Sequence, residues 1–227
     1  MEVRTGVLLP LLLWLHHMTI QLQSEDRSIG AKYYETKFLA MFTRCAHDLT
    51  VTDRISNNMT LSTNPLVNVT QMRNLISGGT FYVTIHANST SAMLEQFKLH
   101  VNTSSGMMTT IPQKGGVIAL NGHQSKIIVM DFSFGFGHLV YPTAEVLTYN
   151  VVDGVPILAV WVSSGEVVEF MVGDAYGGPI TRCQGCSAVQ ISTQNNAVIV
   201  ALTEGVGMSV ISLRDGIRAL VLDRTLA

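Results

Sequence analysis

Three turn dipeptides, Asn121-Gly122, Asp153-Gly154 and Asp215-Gly216, each stand between runs rich in β-branched residues. Asn-Gly and Asp-Gly favour the two-residue type I′ turn, whose central positions need positive φ and whose twist matches a pair of antiparallel strands. A chain carrying three such signals is constrained toward hairpins. The side-chain period agrees. Phe81, Val83 and Ile85 alternate with Tyr82, Thr84 and His86; Phe97, Leu99 and Val101 alternate with Gln96, Lys98, His100 and Asn102. Successive strand residues point to opposite faces, so the apolar set of each run is expected inward and the polar set outward. Further strands are expected over 126–131, 144–152, 156–162, 166–172, 197–202, 208–213 and 217–222, with a glycine-rich loop over 173–187. The expected fold is mainly β: stacked antiparallel sheets, a β-sandwich-like hairpin meander.

One amphipathic α-helix is expected ahead of the strands, over 31–48. Tyr34, Phe38, Leu39, Phe42 and Ala46 recur at helical spacing and make one apolar stripe. Such a stripe must be covered, either by the β region or by a preceding domain. From Leu49 the period changes from 3.6 to 2. Charged residues make up only 13% of the chain and apolar residues 47%, where soluble domains carry about 25% charged. Two explanations stand: strands buried on both faces, or a surface that packs on a partner domain. With a net charge of −2 and no basic stripe, nucleic acid is not an expected partner.

Cleavage of a glycosidic bond usually takes two carboxyl groups held about 5–9.5 Å apart. Glu166 and Glu169 are three residues apart on one strand and so point to opposite faces, and Glu145 and Glu204 are isolated. His86 and His100 sit on the polar faces of successive strands and read as surface histidines; His47, His123 and His138 lie near turns. Phe134-Gly135-Phe136-Gly137 reads as a flexible loop rather than a cofactor box. Tyr141 and Trp161 could stack on sugars, although core packing is the better reading. No catalytic, cofactor-binding or metal-binding residue is expected, and no cofactor.

Four Asn-x-Ser/Thr sequons, at Asn58, Asn68, Asn88 and Asn102, are glycosylation candidates. Residues 1–23 read either as a signal peptide or as an unrelated leader. The apolar run from Val7 to Leu15 has the length of a signal core and is too short to span a bilayer, but Glu2 and His16-His17-Met18 are poor flanks. No membrane span is expected. Cys183 and Cys186 form a single C-x-x-C, either a local disulfide or two free thiols; Cys45 stands alone.

Several long segments resemble one family in the same order. Residues 24–44 resemble the end of the catalytic barrel in fungal family 35 β-galactosidases, and Asp48-Leu-Thr-Val-Thr-Asp-Arg54 resembles the entry to their second domain. Gly115-Gly-Val-Ile-Ala-Leu-Asn-Gly-His-Gln-Ser-Lys-Ile-Ile-Val-Met-Asp-Phe132, Leu139-Val-Tyr-Pro-Thr-Ala-Glu-Val-Leu-Thr-Tyr149 and Leu220-Val-Leu-Asp-Arg224 are similar to parts of that domain. The resemblance implies a barrel-end helix over 24–47 and a non-catalytic antiparallel β domain over 48–227. It also implies that the partners are a catalytic TIM barrel and further β domains of a secreted enzyme acting on galactosides, with both catalytic glutamates in the barrel. On this reading the chain is a fragment of that enzyme. Residues before about 22 and the three cysteines depart from the family pattern.

Overall fold

Asp153 and Gly154 adopt φ of 50° and 78°, the paired left-handed geometry of a type I′ turn, and they close a tight hairpin in which Val152 faces Val155. That hairpin anchors an architecture seen here in a computed structural model. It describes residues 31–223 except 58, 104–105, 107, 164, 174–181, 187, 195, 204–206 and 214–215. Helix α1 (Ala31–Cys45) comes first, followed by a 3-10 turn (His47–Val51). Then come β1 (Asp53–Asn57), β2 (Val67–Arg73), β3 (Thr80–His86), β4 (Glu95–Phe97), β5 (Leu99–Asn102), β6 (Met108–Ile111), β7 (Ile118–Leu120), β8 (Lys126–Met130) and β9 (Phe132–Phe134). The chain continues through β10 (Gly137–Pro142), β11 (Glu145–Val152), β12 (Val155–Val162), β13 (Val167–Gly173), β14 (Arg182–Gln184), β15 (Val189–Gln194), β16 (Ala197–Thr203), β17 (Met208–Ser212) and β18 (Arg218–Asp223).

Two five-stranded sheets, β15-β16-β13-β10-β9 and β11-β12-β18-β17-β14, stack face to face. Val168, Phe170 and Val172 of β13 and Val198, Val200 and Leu202 of β16 share one core with Leu158, Val160 and Val162 of β12, Ile211 of β17 and Val221 of β18. Each such side chain taken from water contributes about 1.5–3 kcal/mol. A smaller lobe places the sheet β1-β2-β3-β8 beside the two-stranded pairs β4-β7 and β5-β6, around Val69, Tyr82, Phe97, Leu99, Ile111, Ile128 and Met130.

Strand β12 is apolar at almost every position because both of its faces are covered. Leu158, Val160 and Val162 face the sandwich core, while Ala159 and Trp161 lie under α1 beside Phe38. The Phe38 and Trp161 ring centroids are 5.5 Å apart, and Phe42 meets Phe81 edge-on at 6.3 Å. The helical stripe is therefore covered by the β region, through Phe38, Phe42 and Ala46, whereas Tyr34 remains about half exposed. Part of the high apolar content is thus spent on a strand sandwiched between a sheet and a helix.

Several local expectations need correction. The helix ends at Cys45 and gives way to the 3-10 turn, rather than running to 48. Asn121-Gly122 does not close a hairpin, because β7 pairs with β4 and β8 with β3. The β17–β18 hairpin does form, but Leu213 and Ile217 close a five-residue connection instead of a two-residue turn; Asp215 lies outside the described residues. One pairing, β12 with β18, is parallel. Phe134-Gly135-Phe136-Gly137 is a tight hairpin joining β9 and β10. Gly135 has φ 64°, and a Cβ there would come within 3.0 Å of Val151, so this turn requires glycine on both counts. Within 173–187, the residues 182–184 pair as a strand with β17.

Strand β3 departs from the expected facing, although Phe81, expected inward, is buried against Phe42. Tyr82, Thr84 and His86 are buried, while Ile85 is 44% exposed. The polar set lies beneath the second layer of the small lobe, and the Tyr82 hydroxyl accepts the Asn102 N–H at 3.2 Å. A set of mixed polarity goes inward because the covering strands lie on that side.

Candidate functional site

Among the described residues the most deeply buried carboxyl side chain is Glu169, in the middle of β13 and with no exposed surface. Its Oε1 accepts from the Gln113 N–H at 2.6 Å and from the Tyr141 hydroxyl at 2.7 Å, and its Oε2 accepts from the Lys114 N–H at 2.6 Å. Its backbone is bonded to Thr143, whose Oγ1 accepts the Glu169 N–H at 2.8 Å and whose N–H donates to the Glu169 carbonyl at 2.7 Å. One side chain thereby ties the 113–114 loop to β10 and β13. Burial, followed by the hydrogen bond and charge of Glu169, pushes the Tyr141 phenol far above its usual range. With no exposed surface and three donors aimed at it, the Glu169 side chain holds the loop.

Two further glutamates are likewise used by the fold. Glu166 pairs with the buried Lys126 ammonium at 2.8 Å, and Glu145 Oε1 accepts the Ile127 N–H at 3.0 Å. Glu204 lies outside the described residues. Strand β13 begins at Val167, so Glu166 precedes the strand it was expected to share with Glu169, and sequence reasoning missed that Glu169 is a structural node. The available signal was its position inside the apolar run from Val167 to Val172.

His86 and His100 do not meet. Strand β3 pairs with β2 and β8, while β5 pairs with β6. His100 Nδ1 lies 2.9 Å from Thr110 Oγ1 across that pair. His86 is not the surface histidine expected of it: it is buried, and neither ring nitrogen has a hydrogen-bond partner among the described residues. At the end of α1, a cleft of about 170 Å³ is lined by Cys45, His47, Asp48, Phe132, Ser133 and Tyr149. The Cys45 thiol donates to the Phe42 carbonyl at 3.1 Å, and burial pushes its pKa up, away from the reactive thiolate. Asp48 Oδ1 accepts from Asn74 Nδ2 at 3.2 Å. The Asp48–Asn74 bond fastens the residues after the helix end to the 74–79 turn. Among the described residues, no three His, Cys, Asp or Glu side chains gather as a metal site, and no helix is long and apolar enough to cross a membrane.

Cys183 and Cys186 are joined as a disulfide beside the edge strand β14. Asn58 lies outside the described residues, and Asn68 is half-buried within β2 opposite Ile85. Asn88 and Asn102 are exposed, in the loop after β3 and at the end of β5. Tyr141 has no exposed surface and Trp161 is 9% exposed, so neither is available to stack on a sugar ring. Exposed apolar side chains collect elsewhere, as at Leu75 and Ile76 in the turn after β2, and at Phe136, Val151 and Val152 on two hairpin tips.

Comparison with known proteins gives a consistent result. Residues 49–227 match the family model described as beta-galactosidase, domain 2. The chain is 52% identical over 201 residues to "Probable beta-galactosidase B" of Emericella nidulans, covering 88% of this chain and 20% of that protein. It is 54% identical over 209 residues to the protein of the same description from Talaromyces marneffei, covering 88% and 21%. For Aspergillus terreus the identity is 52% over 205 residues, covering 90% and 20%. The chain therefore spans about a fifth of the length of these curated relatives.

Proposed function

The chain belongs to the beta-galactosidase domain 2 family, and from that premise we propose that it is the supporting, non-catalytic β domain of a secreted β-galactosidase. In the whole enzyme, hydrolysis of terminal β-D-galactosides takes place on a catalytic barrel outside this chain, and further β domains complete the assembly. The observation that carries this reading is that the matched residues correspond to one domain of relatives about five times longer. The carboxylates support it. Glu169, Glu166 and Glu145 are each bound into the fold by donors from neighbouring strands or loops, which is bracing chemistry.

Helix α1 gives the support a mechanical form. Phe38 and Phe42 fix one side of it to β12 and β3, while Tyr33 and Tyr34, in edge-to-face contact at 5.7 Å, remain exposed. A barrel ending in this helix would be held at a fixed angle to the sheets. The C-terminal half of the helix is locked to the β region by packing, so it cannot act as a loose linker.

The test has two arms. The purified full chain is incubated with a chromogenic β-galactoside, and no turnover is expected. It is then co-expressed with the Emericella nidulans relative lacking its matching fifth. Recovery of a soluble, active complex is expected. Turnover by the chain alone that disappears in Glu145→Gln or Glu169→Gln would refute the reading, as would failure of the two parts to associate.

A further inference from the structure

We propose that Asn88 carries an N-linked glycan, and that this glycan covers the exposed apolar side chains of Leu66, Met93 and Leu94. The proposal rests on the secretory part of the function proposed above and not on the galactosidase part. Asn88-Ser89-Thr90 is a sequon in the exposed loop between β3 and β4. The Thr90 hydroxyl donates to Asn88 Oδ1 at 2.8 Å and the Thr90 N–H donates to the same atom at 3.1 Å. Both bonds fall on the amide oxygen, closing an Asx turn. No described residue bonds the amide nitrogen, the atom that takes the sugar. Asn64 shows the contrast: its Nδ2 is committed to Glu95 Oε2 at 2.8 Å and to the Gln96 carbonyl at 3.1 Å. Asn68 lies half-buried within a paired strand, and the Asn102 turn runs into residues outside the described set.

The surroundings of Asn88 explain what a glycan would do there. Ala87, the residue before it, donates its N–H to the Leu66 carbonyl at 2.8 Å. Met93 and Leu94 close the same loop. Leu66, Met93 and Leu94 are 56%, 69% and 55% exposed. Exposed apolar side chains that adjoin are an association hazard unless covered, and a glycan is bulky and solubilising. In the transfer, the Asn88 amide nitrogen attacks C1 of an oligosaccharide carried on a polyprenyl diphosphate. The N–C1 bond forms, the C1–O bond to the diphosphate breaks, and the amide proton leaves to a base on the transferase. A glycan at this end also closes it to the proposed barrel, which must then use another face.

The full chain is produced in yeast behind an established secretion leader, so that entry to the secretory route does not depend on residues 1–23. Chain from the medium and from microsomes is deglycosylated enzymatically in heavy-oxygen water, and peptides are read by mass. The expected result is the labelled aspartate at position 88, lost completely in Thr90→Ala and kept in Thr90→Ser. Thr90→Ala should also bind more of an apolar-surface dye than Thr90→Ser, and Leu94→Ser in the Thr90→Ala background should reverse the increase. An unmodified Asn88 in chain that has entered the secretory route overturns the site. A modified Asn88 whose loss leaves dye binding unchanged overturns the covering role. Neither result bears on association with the barrel or on galactoside turnover, so failure here is distinguishable from failure of the proposed function.

Discussion

Replacing Glu169 by alanine isolates what one buried carboxylate contributes. Its three donors are not equivalent once it is gone. The Tyr141 hydroxyl, with no exposed surface, loses its acceptor in a dry interior, which costs about 1–3 kcal/mol. The Gln113 and Lys114 N–H groups belong to half-buried and exposed residues, so water can reach them. Losing those two anchors costs about 0.5–1.5 kcal/mol each. The expected destabilisation is therefore about 2–6 kcal/mol, a large share of the roughly 5–15 kcal/mol that holds such a domain together. Glu169→Gln keeps one acceptor oxygen but turns an amide N–H₂ toward a donor, and should fall between alanine and the native chain. Urea titration followed by tryptophan fluorescence measures this well. The chain has only two tryptophans, and Trp161 sits under α1 at 9% exposure. If Glu169→Ala does not fold, Tyr141→Phe removes a single bond and should cost about 1–2 kcal/mol. A loss below about 1 kcal/mol for Glu169→Ala, or full additivity of the Glu169 and Tyr141 changes in a double-mutant cycle, would refute the brace.

The Tyr141 phenol is raised by burial and then by Glu169, so its folded pKa lies above its unfolded value of about 10. Its contribution is complete below about pH 10 and is lost as pH rises beyond it; alkaline unfolding should start there and be shallower in Tyr141→Phe, as read by ultraviolet difference absorbance. His86→Leu removes two buried nitrogens without partners and should be neutral or stabilise by about 1 kcal/mol in the same urea titration; a clear loss would show that the ring is bonded. Phe38→Ala empties the contact with Trp161 and should cost about 3–5 kcal/mol while red-shifting Trp161 emission; an unshifted spectrum would mean that α1 does not depend on this contact.

The secondary structure was written locally. Asp153-Gly154 dictates its hairpin because few residues other than glycine accept the required φ, and the period-2 alternation from Gln96 to Asn102 places Phe97, Leu99 and Val101 inward as read. The amphipathic stripe of α1 was equally legible, since i and i+4 spacing is a property of the helix itself. The family, too, was legible from the sequence, because long ordered segments carry it.

What lay outside the sequence was the partner of each face. Asn121-Gly122 has a hairpin's chemistry, yet its flanking strands join different sheets, since a turn dipeptide fixes local φ and not which strand the chain meets next. His86 and Thr84 looked solvent-facing by polarity and are buried, because burial depends on what is stacked above a sheet. Alternation sorts side chains into two faces through local geometry; only the packing of the second layer, built from residues distant in the chain, decides which face stays wet.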